Sequence, residues 1–103
     1  RAIRRDNPSC VSIVAMGQDA RERSDEDELC AFYLRNLLEG RASDFAAIRK
    51  LALNCKTADK FRDPSRPWFH PKDLKLALTL DLVDFAIRVR RVKGLLVAEP
   101  VRV

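Results

Sequence analysis

No apolar run in the chain approaches the roughly 18–20 residues needed to cross a bilayer, so no membrane partner is expected. The start carries Arg1, Arg4 and Arg5 but no apolar stretch of the right kind behind them, so it does not read as a signal peptide. Histidine occurs once, as His70, which leaves a histidine-based metal site poorly supported. The three cysteines, Cys10, Cys30 and Cys55, are odd in number and form no C-x-x-C pair. That argues against a disulfide framework or a zinc site and fits a reducing cytoplasm, the expected location. The 20 basic and 15 acidic residues are interspersed and leave a net charge of +5. Such a balance suits an anionic partner, yet it lacks the dense basic stripe and interleaved aromatics of a nucleic-acid surface. Arg4, Arg5, Arg88, Arg90, Arg91 and Lys93 are the residues such a surface would use, and no nucleic-acid partner is expected from them. Internal repeats and low-complexity tracts are also missing.

What is present fits one globular α/β domain over residues 1–103, with 47% hydrophobic and 34% charged residues. The chain does not begin with Met, and it reads as the second part of a longer protein. Residues 10–16, CVSIVAM, are nearly all apolar and bounded by Pro8 and Gly17, which predicts a strand buried on both faces. Ser24 then offers an N-cap with Asp27 three residues on, and Asp25 to Glu28 fill a first turn where the helix dipole favours negative charge. Cys30, Tyr33, Leu34, Leu37 and Leu38 recur at helical spacing as a candidate buried face, and Gly40 closes the helix. A second helix is expected from Ser43 or Asp44, with Phe45, Ile48, Leu51 and Ala52 inward. A Pro-rich irregular segment follows, in which Trp68 and Phe69 read as a satellite core. Pro71 opens a third short helix through about Leu80, with His70 as a cap or surface residue. Phe85, Ile87 and Val89 alternate with Ala86, Arg88 and Arg90, so a β-hairpin turning at Lys93-Gly94 ends the chain, with Pro100 at an edge. The fold class expected is a partial three-layer α/β/α-type domain: one buried strand, helices and a C-terminal β-hairpin. One strand and a hairpin are too few for a complete sheet, which again points to a further segment.

The chemistry concentrates at the junction after the first apolar run. Ligands of open α/β sheets gather at strand carboxyl ends beside helix N-termini. Gly17 permits close backbone approach there. Arg21 and Arg23 suit bidentate pairing with an oxyanion, and Ser24 sits at the helix start. Glu26 and Asp27 suit Mg²⁺, which takes carboxylate, water and phosphate oxygens together. Each also has a plainer reading: Asp27 as a capping group, Glu26 as a dipole-stabilised surface charge, and the arginines as a solvated loop. Cys30 reads as a small buried hydrophobe rather than a nucleophile.

The segment VSIVAMGQDARERSDEDELCAFYLRNLLEGR resembles the C-terminal part of the 2-phosphosulfolactate phosphatase family of coenzyme M biosynthesis. That family shows an apolar strand, a glycine-containing loop and then Ser-x-Glu-Asp-x-x-Cys-Ala opening a helix. Ser24, Glu26, Asp27, Cys30 and Ala31 stand at those positions. The closing KDLKLALTLDLVDFAIRV is similar as well, so the likeness runs from about Val11 to Val97; the loop GQDARER departs from it in lacking a second glycine. The resemblance implies a Mg²⁺-dependent phosphatase acting on 2-phosphosulfolactate or a related small anionic phosphate ester, releasing sulfolactate and phosphate. It implies that Glu26 and Asp27 belong to the metal region. Gly17, Arg21, Arg23 and Ser24 are the candidate substrate-binding residues. The catalytic residues are expected in an N-terminal part of the same protein, so the isolated chain is expected to be inactive; self-association into a homo-oligomer is left open. The alternative is a non-enzymatic α/β module that binds an anionic ligand or partner.

Overall fold

A computed structural model describes residues 1–103. Five helices, α1 (Ala2–Asp6), α2 (Asp25–Glu39), α3 (Phe45–Leu53), α4 (Lys56–Asp59) and α5 (Pro71–Ala77), precede two strands, β1 (Phe85–Val92) and β2 (Leu95–Arg102). The architecture is therefore mixed α/β, with helices followed by a two-stranded antiparallel hairpin. No helix is long and apolar enough to cross a membrane. The chain divides into two compact units, one of residues 1–11 with 80–103 and one of residues 12–79.

In the helical unit, Ser24 has extended backbone (φ −129°, ψ 121°) and its carbonyl accepts the Glu28 amide at 3.1 Å, which starts α2. At the other end Gly40 takes φ 70°, where a side chain is disfavoured, and its amide turns back to the carbonyls of Asn36 and Leu37. Asp44 caps α3 by accepting the Ala47 amide at 3.1 Å. His70 caps α5, its Nδ1 accepting the Lys72 amide at 3.1 Å, with Pro71 as the first helical residue. The small core of this unit is Ile48, Ala52 and Ala58 from α3 and α4. The rings of Tyr33 and Phe45 meet at 5.3 Å between α2 and α3.

Several expectations are corrected here. Residues 10–16 form no strand: none of their backbone groups joins a ladder, and Val14 and Met16 are 72% and 65% exposed. A strand exists only by pairing, and this segment has no neighbour to pair with. The face of α2 that packs runs through Leu29, Tyr33 and Asn36, not through Cys30, Leu34 and Leu37, which are exposed. Helical spacing locates an apolar stripe, but α3 and α4 lie against the adjacent one. Leu51 and Trp68 are exposed too, while Phe69 packs edge-on against Phe61 at 5.3 Å. The expected capping box is also absent: the Ser24 hydroxyl makes no cap bond and turns to Glu26 instead, and the Asp27 carboxylate that would complete the box accepts from Gly17.

In the other unit the hairpin turns at Lys93 (φ 48°) and Gly94 (φ 84°), the left-handed pair that a two-residue loop between twisted strands requires. The register pairs Ile87 with Pro100, Val89 with Ala98 and Arg91 with Leu96. Directly opposite residues share a face, so Phe85, Ile87, Val89, Leu96, Ala98 and Pro100 form an exposed apolar patch on one face, with Arg91 and Arg102 at its two ends. The half-buried residues Ala86, Val92, Glu99 and Val101 lie on the opposite face with Arg88 and Arg90. There Arg88 pairs with Asp6 of α1, and Arg90 with Glu99 at 2.8 Å.

Candidate functional site

The loop before α2 is a miniature hairpin. Gln18 donates to the Glu22 carbonyl at 2.9 Å, and Arg21 donates back to Gln18 at 3.0 Å. Asp19 and Ala20, at the tip, both have left-handed backbone (φ 55° and 53°). Gly17 enters the loop at φ 69°, and an added Cβ would overlap the Glu22 carbonyl oxygen, so only glycine fits. The Gly17 amide donates to Asp27 Oδ2 at 2.7 Å, which fastens the loop to the first turn of α2. From the other side Lys60 Nζ donates to Gln18 Oε1 at 2.7 Å.

This loop and the start of α2 enclose an open cleft of about 200 Å³. Ala15, Met16 and Ala20 give it apolar surface; Gly17 and Ser24 lie at its base, and Arg21, Glu22, Arg23 and Glu28 bring charge. The structure thus gathers four candidate substrate-binding residues, Gly17, Arg21, Arg23 and Ser24, around one depression. Arg23 is held side-on by Glu28, Nε to Oε1 at 2.5 Å and Nη2 to Oε2 at 2.6 Å. That bond and the attraction behind it hold the Glu28 carboxyl below its ordinary value and raise the Arg23 guanidinium. Arg21 makes no ion pair, its backbone amide alone being bonded, so it is the uncompensated cation of the cleft. The two glutamates formally cancel the two arginines. Glu28 was not legible as part of the site, since an acidic residue at a helix start already has a sufficient explanation in the helix dipole, and Glu22 reads as one more charge of a solvated loop.

Glu26 and Asp27 do not line the cleft. Glu26 is half-buried on the side of Thr57 and Lys60. Burial pushes its carboxyl up, but the Ser24 hydroxyl, its own amide, Thr57 and the Lys60 charge together bring it below the ordinary value. These groups favour the carboxylate electrostatically, yet no donor meets Glu26 Oε2, a buried atom, at hydrogen-bonding geometry. For that oxygen the geometry decides: it is an acceptor with capacity to spare. The Asp27 Oδ2 atom is already taken by Gly17. Mg²⁺ takes near-octahedral oxygen ligands. No group of three or more His, Cys, Asp or Glu residues is arranged to hold a metal ion, so these two carboxylates do not by themselves fit that ion, and no chemical step is derived through it. The chemistry that the cleft itself can do is to bind a small oxyanion between arginines against an apolar wall. No protein-family model matches the chain, and no curated protein or solved structure matches it.

Proposed function

We propose that this chain is the C-terminal part of a Mg²⁺-dependent phosphatase that hydrolyses a small anionic phosphate ester, 2-phosphosulfolactate or a close analogue. The supporting observation is the cleft: the loop that leads into the helix start bearing the family likeness sets Arg21 and Arg23 beside a pocket of about 200 Å³, the size of a small phosphate ester. A guanidinium presents paired N–H donors that match two oxygens of a phosphate or sulfonate. Arg21 supplies a cation that no side chain pairs with, and Gly17 keeps the backbone close. On this reading the catalytic groups, the magnesium ligands and the sheet of the three-layer α/β/α arrangement come from the N-terminal part, since Glu26 faces Thr57 and Lys60 and Asp27 is taken by Gly17. The reaction runs in the cytoplasm, and the chain alone is inactive.

The test is release of inorganic phosphate from 2-phosphosulfolactate and a panel of small phosphate esters by the intact enzyme, with Mg²⁺ and with EDTA. Mg²⁺-dependent release that Arg21→Gln lowers at unchanged melting temperature is the expected result. Absence of release from every ester, with the ligands still bound, would replace it by the alternative reading, an α/β module that binds an anion without turning it over.

A further inference from the structure

We propose that Glu28 is a positioning residue: it orients Arg23 for the oxyanion of the ligand, and removing its negative charge weakens anion binding instead of strengthening it. The proposal rests on the cleft being an anion site. A guanidinium has five N–H donors in a fixed fork. Glu28 takes the Nε–H and one Nη2–H in side-on geometry, at 2.5 and 2.6 Å. Both Nη1 hydrogens and the second Nη2 hydrogen remain, and these form the end-on pair that grips two oxygens of a phosphate or sulfonate. Without a restraint, an Arg23 side chain that is 87% exposed would distribute itself over many rotamers. Glu28 springs from a fixed backbone, since its amide closes the first turn of α2 on the Ser24 carbonyl at 3.1 Å, and its side chain is the less exposed of the two, 38% against 87%. The paired bonds to the carboxylate restrain the guanidinium. Arg21 has no such partner and provides charge without orientation. The two arginines, two residues apart on the same loop, divide the work of attraction and alignment.

The sign of one effect decides between this role and a bystander role. A carboxylate that merely stands beside an anion site repels the anion, so Glu28→Gln should tighten binding and Glu28→Asp, which keeps the charge, should change nothing. A positioning carboxylate gives the opposite pattern. Glu28→Gln should weaken binding by about two- to fivefold, the range that an exposed ion pair can contribute. Glu28→Asp should weaken it as well, since the shorter arm cannot make both bonds. The experiment titrates the intact protein with inorganic phosphate and follows the amides of residues 17–24 and the Arg Nε–H signals by NMR. Because Glu28 also belongs to the first turn of α2, the same substitution is repeated in Arg23→Lys, which keeps the charge but loses the fork. If Glu28 acts through Arg23, Glu28→Gln has no further effect in that background; a loss that persists there would come from the helix and would overturn the proposal. Saturable phosphate binding that Glu28→Gln leaves equal or tighter overturns the positioning role and leaves the cleft reading standing. A wild-type intact protein that binds no phosphate overturns both.

Discussion

Gly17 carries two constraints at once, a left-handed φ of 69° and a space already filled by the Glu22 carbonyl oxygen. Gly40 has a similar φ of 70° but open space around it. The pair separates backbone strain from collision. Gly40→Ala should cost about 1 kcal/mol, the strain of a left-handed alanine. Gly17→Ala should cost about 2 kcal/mol or more, because the loop has to shift as well and the amide bonded to Asp27 shifts with it. Urea unfolding of the two variants measures the difference, and equal losses would refute the collision. Ala20 is the converse case: at φ 53° it bears strain that glycine would relieve. Ala20→Gly should raise stability by about 0.5 kcal/mol, after allowing for the extra freedom glycine gives the unfolded chain. Neither effect was visible in the sequence beyond the punctuation mark of Gly17, since a tight Asp-Ala turn lacks the Asn-Gly or Asp-Gly signature that announces such loops.

At the scale of elements, what the sequence made legible was whatever is decided within a few neighbouring residues. The start and stop of α2, the Asp44 and His70 caps, Pro71 at the first turn of α5 and the Lys93-Gly94 turn are local, and each is present. Residues 10–16 were misread because their pattern states a preference for a sheet without supplying one. Amide hydrogen exchange should follow that division. Amides of residues 11–16 should exchange at nearly the unprotected rate in the chain alone, while those of residues 29–38 and the bonded amides of the hairpin are slowed. Protection across 11–16 would show a partner strand. The cleft was half legible on the same grounds: the arginines and Gly17 stand out in the loop, whereas Glu28 joins them only through a bond across the helix start. The junction of α2 with α4 carries a pH dependence too. The Glu26 carboxyl has a folded pKa below its ordinary 4.5, so its contribution is fully present above that value and is lost as pH falls through the lower folded value. Glu26→Gln should therefore flatten the acid side of the stability curve below about pH 4.5. An unchanged slope in urea titrations across that range would show that Ser24, Thr57 and Lys60 do not favour the charged form.

At the scale of the whole molecule, the question is how little is buried. The buried hydrophobic residues are Ile48, Ala52 and Ala58, and no large side chain is fully enclosed. The chain of 11.8 kDa leaves 8678 Å² accessible, where a compact monomer of that mass exposes about 5,900 Å². Val14, Trp68, Leu95 and Leu96 are each about 70% exposed, spread over both units. A two-stranded sheet with an uncovered apolar face is marginal in water, and two alanines and an isoleucine offset little of the entropy lost on folding. The chain alone should then bind a hydrophobic dye such as ANS in neutral buffer and unfold over a broad, weakly cooperative thermal transition. A polypeptide that covers the exposed face of Phe85, Ile87, Val89 and Leu96 should sharpen the transition and raise its midpoint, because whatever binds only the folded form stabilises it. Calorimetry of the chain with dye binding alongside checks this. A single sharp transition with no dye bound would mean that these apolar side chains are already covered in solution by another copy, and the sedimentation of the chain at the same concentration would then show the dimer.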